Sequence, residues 1–299
     1  MIFSALVKRN IKMFFKDKGL FFTSMITPLI LLVLYMTFLS NVYRDSFSSG
    51  LAGVPIDDGL LNSIVAGQLV SSLLAVSCVT VAFCSNMLMV QDKVSQAGND
   101  LTIAPIKRST LALSYYTATF FSTLIISLIA AGAGLAYIAF EGWYMTVSDL
   151  LLVLLDVFLL VMFGTALSST VNFFLSSQGQ ISAVGSIVSS VYGFICGAYM
   201  PISQFGDGLQ KVLMFLPGTH ATSLLRAHVM RGSFEEMRRI GFPDEVVELM
   251  KDTVDCNIYF FGDKIEDFVK LIVLCASVIL LIAIYIILNI TSKKRSRGK

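Results

Sequence analysis

Apolar residues fall along this chain in long unbroken blocks, not in period-two alternation or in narrow helical stripes. Six blocks stand out, at residues 20–40, 60–90, 111–140, 150–175, 180–200 and 269–290. Each reaches the ~20 residues that a helix needs to cross ~30 Å of hydrocarbon. The second and third are longer, about 45 Å at 1.5 Å per residue, and are expected to tilt or protrude. Continuous apolarity argues against a transmembrane barrel, whose strands alternate. The pattern predicts an all-α polytopic membrane protein with six transmembrane helices.

The connections carry their own patterns. Within residues 1–19, Lys8, Lys12 and Lys16 recur at every fourth position opposite Phe3, Leu6, Val7, Ile11, Phe14 and Phe15. This predicts an amphipathic helix in the membrane interface before the chain turns inward near Gly19. After the fifth block come Pro201, an amphipathic run with Leu209, Val212, Leu213 and Leu216, a Pro217-Gly218 break and a second helical run from Thr219 to Met230. Both runs are too short to cross a bilayer. They predict a re-entrant hairpin whose irregular backbone is tolerated where protein buries it. The polar remainder of 201–268 predicts a small outer helical subdomain, and 291–299 a basic tail.

Composition sharpens the picture. Charged residues make up 14% of the 299, against roughly 25% in soluble domains, and mean hydropathy is +0.78. Only Asp156 and Lys270 of the charged residues fall inside the blocks. An ionised side chain at the bilayer centre costs about 2.5–3.5 kcal/mol, so charge is swept into the connections. Segments 1–19, 91–110, 176–179 and 291–299 hold 13 Lys and Arg, whereas 41–59 and 141–149 hold one, Arg44. That asymmetry predicts a multi-pass cell-membrane protein with both termini in the cytoplasm. It also accounts for the basic segments without nucleic acid. The first block has full spanning length behind a basic stretch, which predicts an anchor and not a cleaved leader. The five cysteines outline no disulfide framework, and no Cys/His spacing suggests a metal.

Several residues carry candidate chemistry. In the second block Gln68, Ser71, Ser72, Cys78, Ser85 and Asn86 recur at helical spacing, and in the fifth Ser186, Ser189, Gly193 and Gly197 do so, the last two forming GxxxG. Such positions allow close helix packing or line a translocation path or dimer seam. Pro201, Pro217 and Arg226 mark the outer hairpin, where Arg226 is expected to pair with an acid such as Asp207. Asp156 is an intramembrane acid, a functional candidate by default or a satisfied polar contact. His220 and His228 read as packing or interfacial residues.

Between the second and third blocks lies Gln91-Asp92-Lys93-Val94-Ser95-Gln96-Ala97-Gly98-Asn99-Asp100-Leu101-Thr102-Ile103-Ala104-Pro105-Ile106-Lys107-Arg108-Ser109. Pro105 would end any helix built from 92–103. The order Leu101-Thr102, Pro105, apolar, Lys107-Arg108, with Tyr192-Gly193 through Met200-Pro201, Leu216-Pro217-Gly218-Thr219-His220 and Leu224-Leu225-Arg226, resembles the membrane subunits of type-2 ABC export systems. The resemblance covers nearly the whole chain. It implies that 92–103 is a coupling helix that docks on an ABC-type ATP-binding subunit, with Asp92, Lys93, Asn99, Asp100, Leu101, Thr102, Pro105, Lys107 and Arg108 as its residues. It further implies a dimer with a second copy or a paralogous permease, and a central path between the halves. The long outer segment places the chain nearer the drug or lipid exporters than the minimal polysaccharide exporters.

No GxxxxGK[ST] phosphate loop is present. The chain is therefore expected to be non-enzymatic and to bind no cofactor, with ATP and Mg²⁺ on the partner subunit. The sequence leads to a permease subunit of an ATP-driven exporter of drug-like or lipidic cargo. The other reading is a stand-alone transporter or channel driven by an ion gradient, which would call for more ionisable groups inside the blocks than Asp156 alone.

Overall fold

The computed structural model describes residues 2–50, 56–95, 97 and 106–296, and it is almost wholly helical. Helix α1 (Ile2–Lys16) buries Leu6, Asn10 and Phe14, one face at every fourth position, against neighbouring helices. Asp17 separates it from α2 (Lys18–Leu34) and caps the new helix, its carboxylate accepting from the Leu20 N–H at 3.1 Å. A π segment (Tyr35–Leu39) leads into α3 (Ser40–Gly50). Next come α4 (Asp58–Val94), α5 (Arg108–Glu141), α6 (Val147–Phe173) and α7 (Gln178–Ile195). A 3-10 turn (Ile202–Gln204) precedes the short helices α8 (Asp207–Leu213), α9 (Pro217–Val229), α10 (Arg231–Arg239) and α11 (Asp244–Thr253). Strands β1 (Tyr259–Phe260) and β2 (Asp263–Lys264) form an antiparallel hairpin before the long α12 (Asp267–Ser296).

The architecture is built around α4. Its 37 residues are buried almost all round, by α5, α6, α2, α7 and α9. Small residues permit this close approach. A Cβ on Gly164 of α6 would stand 2.9 Å from the Cys78 carbonyl oxygen, and one on Gly134 of α5 would stand 2.6 Å from Val70 Cγ1. With no hydrophobic drive between helices in lipid, such packing and interhelical hydrogen bonds hold a bundle together.

Among the described residues, five helices are long and apolar enough to cross a membrane: Lys18–Asp45, Asp58–Val94, Arg108–Glu141, Val147–Phe173 and Asp267–Thr291. These match five of the six expected spans. The fifth expected span, 180–200, forms a shorter helix of 18 residues rich in Ser and Gly. It stops at Ile195 because the chain turns at Gly197, φ 74°, a left-handed conformation suited to glycine. Pro217 does more than interrupt a helix. It opens α9 at the first helical position, where a missing N–H costs nothing. The β-hairpin was not expected. Its turn holds Phe261 at φ 52° and Gly262 at φ 101°.

The bundle has two distinct ends. At one, α1 packs on α5 and α4, and α12 joins these two through Tyr285, whose hydroxyl donates to the Ala112 carbonyl at 3.2 Å and lies 3.3 Å from Met89 Sδ. At the other, α9 to α11 and the hairpin cover the start of α12, where the buried Lys270 ammonium donates to the Cys256 carbonyl at 2.7 Å and to Asp267 at 2.8 Å. Helix α7 begins after Phe173 at the first end and finishes beside Arg226 at the second.

Candidate functional site

Each end is fastened by a buried charge cluster. At the α9 end the centre is Arg226, fully buried. Its Nη1 donates to Asp255 Oδ2 at 3.0 Å, and its Nη2 donates to Ser72 Oγ of α4 at 2.9 Å and to the Gly197 carbonyl at 2.7 Å. The Ile202 N–H donates to the same Asp255 oxygen at 2.9 Å. One guanidinium thus joins α4, the turn after α7, the 3-10 turn and the segment after α11. Burial pushes the Asp255 carboxyl up, and the neighbouring Arg226 charge and the Ile202 N–H oppose this. Gly197 is required here, since a Cβ would meet Ile202 Cγ1 at 2.8 Å. The expected Arg226–Asp207 pair is not formed. Asp255 takes its place because the chain reverses there at φ 52°, which aims its carboxylate back at α9.

At the opposite end the centre is Asp92, buried near the foot of α4. Arg9 of α1 grips it with two bonds, Nη1 to Oδ2 at 2.8 Å and Nη2 to Oδ1 at 3.2 Å. The Tyr115 hydroxyl of α5 donates to Oδ2 at 2.5 Å. Bidentate charge-assisted bonds of this kind fix geometry as well as energy. Hydrogen bonding to Asp92 raises the Arg9 pKa against the opposing effect of burial. Next to it, Lys93 Nζ donates to the Phe173 carbonyl at 2.9 Å and the Asn172 carbonyl at 3.3 Å, and lies 5.3 Å from the Phe173 ring centre. It is a cation on the C-terminus of α6, where the helix dipole favours one.

Between the two ends, Asn86 Nδ2 donates to Ser169 Oγ at 2.9 Å and Ser168 Oγ at 3.1 Å, linking α4 to α6. Asp156 of α6 is buried and its Oδ2 lies 2.6 Å from His228 Nδ1 of α9. His220 is held by the Met214 carbonyl at 2.7 Å, and burial lowers its pKa.

The sequence-derived site residues fall into separate groups. Gln68, Ser71, Ser72, Cys78, Ser85 and Asn86 all lie inside the subunit, covered by its own helices. Ser71 returns a hydrogen bond to the Gly67 carbonyl at 2.7 Å, while Ser85 Oγ and both amide atoms of Gln68 show no hydrogen bond of good geometry among the described residues. The Tyr43 hydroxyl lies beside Gln68, and the buried Tyr35 and Tyr192 hydroxyls have no hydrogen-bond partner among the described residues. Ser186 is exposed on α7, Ser189 half-buried, and Gly193 buried under the Tyr199 ring. Asp92 and Lys93 are committed to contacts within the chain. Lys107 is exposed just before α5, and Arg108 opens that helix. Asn99, Asp100, Leu101, Thr102 and Pro105 lie outside the described residues. Pro201 leads into the 3-10 turn. Arg9, Tyr115 and Asp255 carry the two clusters and were missed from sequence. Only the Arg9 position, on the polar side of α1, offered a signal.

A bundle of membrane-length helices, fastened at both ends by buried ion pairs and built around one pillar, defines a multi-pass α-helical membrane protein. The family model described as ABC-2 family transporter protein matches residues 55–291, and the chain belongs to that family. No curated protein matches the chain.

Proposed function

We propose that this chain is the permease subunit of an ATP-driven exporter, dimeric, and coupled to separate ABC-type ATP-binding subunits that carry ATP and Mg²⁺. The carrying observation is that one helix holds both clusters. Asp92 and Ser72 belong to α4, about 30 Å apart at 1.5 Å per residue. The segment expected to dock on the ATP-binding subunit continues directly from Val94. A displacement there enters α4 as a rigid body, dragging α1 through Arg9, and arrives at the contacts of Arg226.

In this reading the Asp92 end is cytoplasmic and the Arg226 end external, in line with the excess of Lys and Arg near the termini. The route of the chain supports a reading with six crossings. Helix α6 finishes at the Asp92 end and α12 starts at the Arg226 end, so α7 carries the chain across, about 27 Å in 18 residues. Helices α8 and α9 then form the re-entrant hairpin that closes the outer side, locked by Arg226. Among the described residues, the Tyr35 and Tyr192 hydroxyls offer unpartnered polar atoms beside the Gln68 amide at the seam of the first, second and fifth spans. A cargo head could satisfy them when the lock opens, which suits a drug-like or lipidic compound with a hydrogen-bonding group.

The test is co-expression with a candidate ATP-binding subunit and measurement of NBD-phosphatidylcholine movement in inside-out vesicles. Movement should require ATP and the partner, and deletion of residues 99–105 should abolish both partner capture and movement. Transport by the chain alone in liposomes, without ATP, would overturn the proposal.

A further inference from the structure

Beside the Arg226 cluster lies a cleft of about 410 Å³ between the 3-10 turn, α8 and the β-hairpin, and nothing in the exporter reading uses it. Its size falls within the roughly 300–1,000 Å³ that small-molecule sites occupy. Asp207 of α8, Asp252 near the end of α11 and Asp255 supply three carboxylates to its lining, and Tyr259 and Phe261 supply two aromatic rings. Lys211 is the only basic side chain in the lining.

The negative charge of the cleft is incompletely matched. Asp252 accepts from two neutral donors, Asn257 Nδ2 at 2.7 Å and the Tyr259 hydroxyl at 2.9 Å. Lys251 and Lys264 are paired with Glu248 instead. Asp255 is 4% exposed, and its Oδ2 takes both the Arg226 guanidinium and the Ile202 N–H. Its Oδ1 shows no hydrogen bond among the described residues, although Asp255 lines the cleft. Burial pushes this carboxyl up, so a further positive charge on the cleft side would be favourable.

Two facts set the chemistry of that charge. Among the described residues no three His, Cys, Asp or Glu side chains stand close enough together to hold a metal ion. Carboxylates spread around a cleft suit a diffuse charge on a larger body. The other fact is Lys211, whose Nζ stands 6.0 Å from the centre of the Phe261 ring. An ammonium over an aromatic face is attracted by the ring quadrupole. The lysine thus makes the contact that an ammonium from outside would make, and would have to give way to it. Phe261 presents its ring from φ 52°, a conformation that a bulky side chain resists and that recurs at ligand clamps.

We propose that this cleft binds an organic ammonium ion with an apolar or aromatic body. The charged head lies among Asp207, Asp252 and Asp255, and the body packs on Tyr259 and Phe261 in the place of Lys211. Because Asp255 is shared with Arg226, an occupied cleft also draws on the carboxylate that holds the Arg226 cluster. The inference rests on the cleft alone and needs neither ATP nor a partner, so it stands or fails apart from the exporter reading.

Isothermal titration calorimetry on the full-length chain in phosphatidylcholine nanodiscs, with empty discs subtracted, tests this with benzyltrimethylammonium as the probe. Binding should saturate at one site per chain, and benzyl alcohol, phenylacetate and Ca²⁺ should not compete. Asp207→Asn, Asp252→Asn and Phe261→Leu should each weaken binding by about two- to fivefold. Glu245→Gln, on α11 outside the cleft, should leave it unchanged. Lys211→Gln should tighten binding by about the same two- to fivefold, a gain that misfolding cannot imitate. In inside-out vesicles with an ATP-binding subunit and ATP, accumulation of labelled probe would make the bound amine a cargo. Binding without accumulation would make it a solute of the outer medium, and both outcomes keep the site. No saturable binding, equal affinity for benzyl alcohol, displacement by Ca²⁺, or a Lys211→Gln chain that binds no tighter would overturn the proposal.

Discussion

Replacement of Arg226 by leucine probes the cluster on which the outer closure depends. The substitution leaves three acceptors without their donor: Asp255 Oδ2, Ser72 Oγ and the Gly197 carbonyl, at 3.0, 2.9 and 2.7 Å from the guanidinium. Removing one partner of a buried ion pair costs about 3–5 kcal/mol, because the other charge remains buried. Asp255 can relieve part of this by taking a proton, since burial already raises its pKa, so the expected cost is ~3 kcal/mol. That is roughly a hundredfold in the unfolding constant. Asp255→Asn keeps a shape that tolerates φ 52° but leaves Arg226 uncompensated, and should also destabilise. The double variant Arg226→Leu/Asp255→Asn has no buried charge left at this point. It should fall short of the sum of the single losses by about 1–3 kcal/mol. Unfolding by SDS in mixed micelles, followed by circular dichroism, measures all three. Additive losses would refute the reasoning, since they would mean that Arg226 and Asp255 do not act as a pair.

Three further outcomes are expected. Asp92→Asn weakens the grip of Arg9 and Tyr115 by about 1.5–3 kcal/mol, so trypsin should cut at the lysines of α1 faster in inside-out vesicles. Gly164→Ala should cost about 1–3 kcal/mol by overpacking against the Cys78 carbonyl, while Gly132→Ala, with open space around it, should leave the thermal midpoint in detergent unchanged. Burial would push Glu248 up, but hydrogen bonds from Lys264, Lys251 and Asn257 outweigh it and hold the carboxyl at about 2, below its ordinary 4.5. A depressed carboxylate stabilises above its unfolded pKa, so this contribution should be lost as pH falls from about 4.5 towards 2. Acid titration of Glu248→Gln should lack that component.

The spans were legible because burial in lipid is a property of whole stretches of sequence. Five apolar blocks became helices within a few residues of their expected limits. The fifth block was legible as a helix but not in extent, since its end depends on the left-handed turn at Gly197. The polar stripe of α4 was read at the right period, yet a face has little meaning on a helix that is buried all round. The charge clusters were out of reach for another reason. Asp92 and Arg9 lie 83 positions apart, and Arg226 and Asp255 lie 29 apart across a reversal that no local pattern announces. The hairpin was invisible because two-residue strands have no period. Only the Phe260-Phe261-Gly262-Asp263 turn could have hinted at it.

The central claim is that α4 carries motion from the Asp92 cluster to the Arg226 cluster. Cys196 reports on it directly: it is fully buried, adjacent to Gly197, and native. With Cys78, Cys84, Cys256 and Cys275 replaced by alanine, labelling of Cys196 by a membrane-impermeant maleimide is followed in vesicles that hold the chain and its ATP-binding subunit. ATP binding should speed labelling about tenfold or more as the Arg226 contacts part, and Asp92→Asn should abolish that gain while ATP is still bound. Labelling indifferent to ATP, or accelerated equally in Asp92→Asn, would contradict the account.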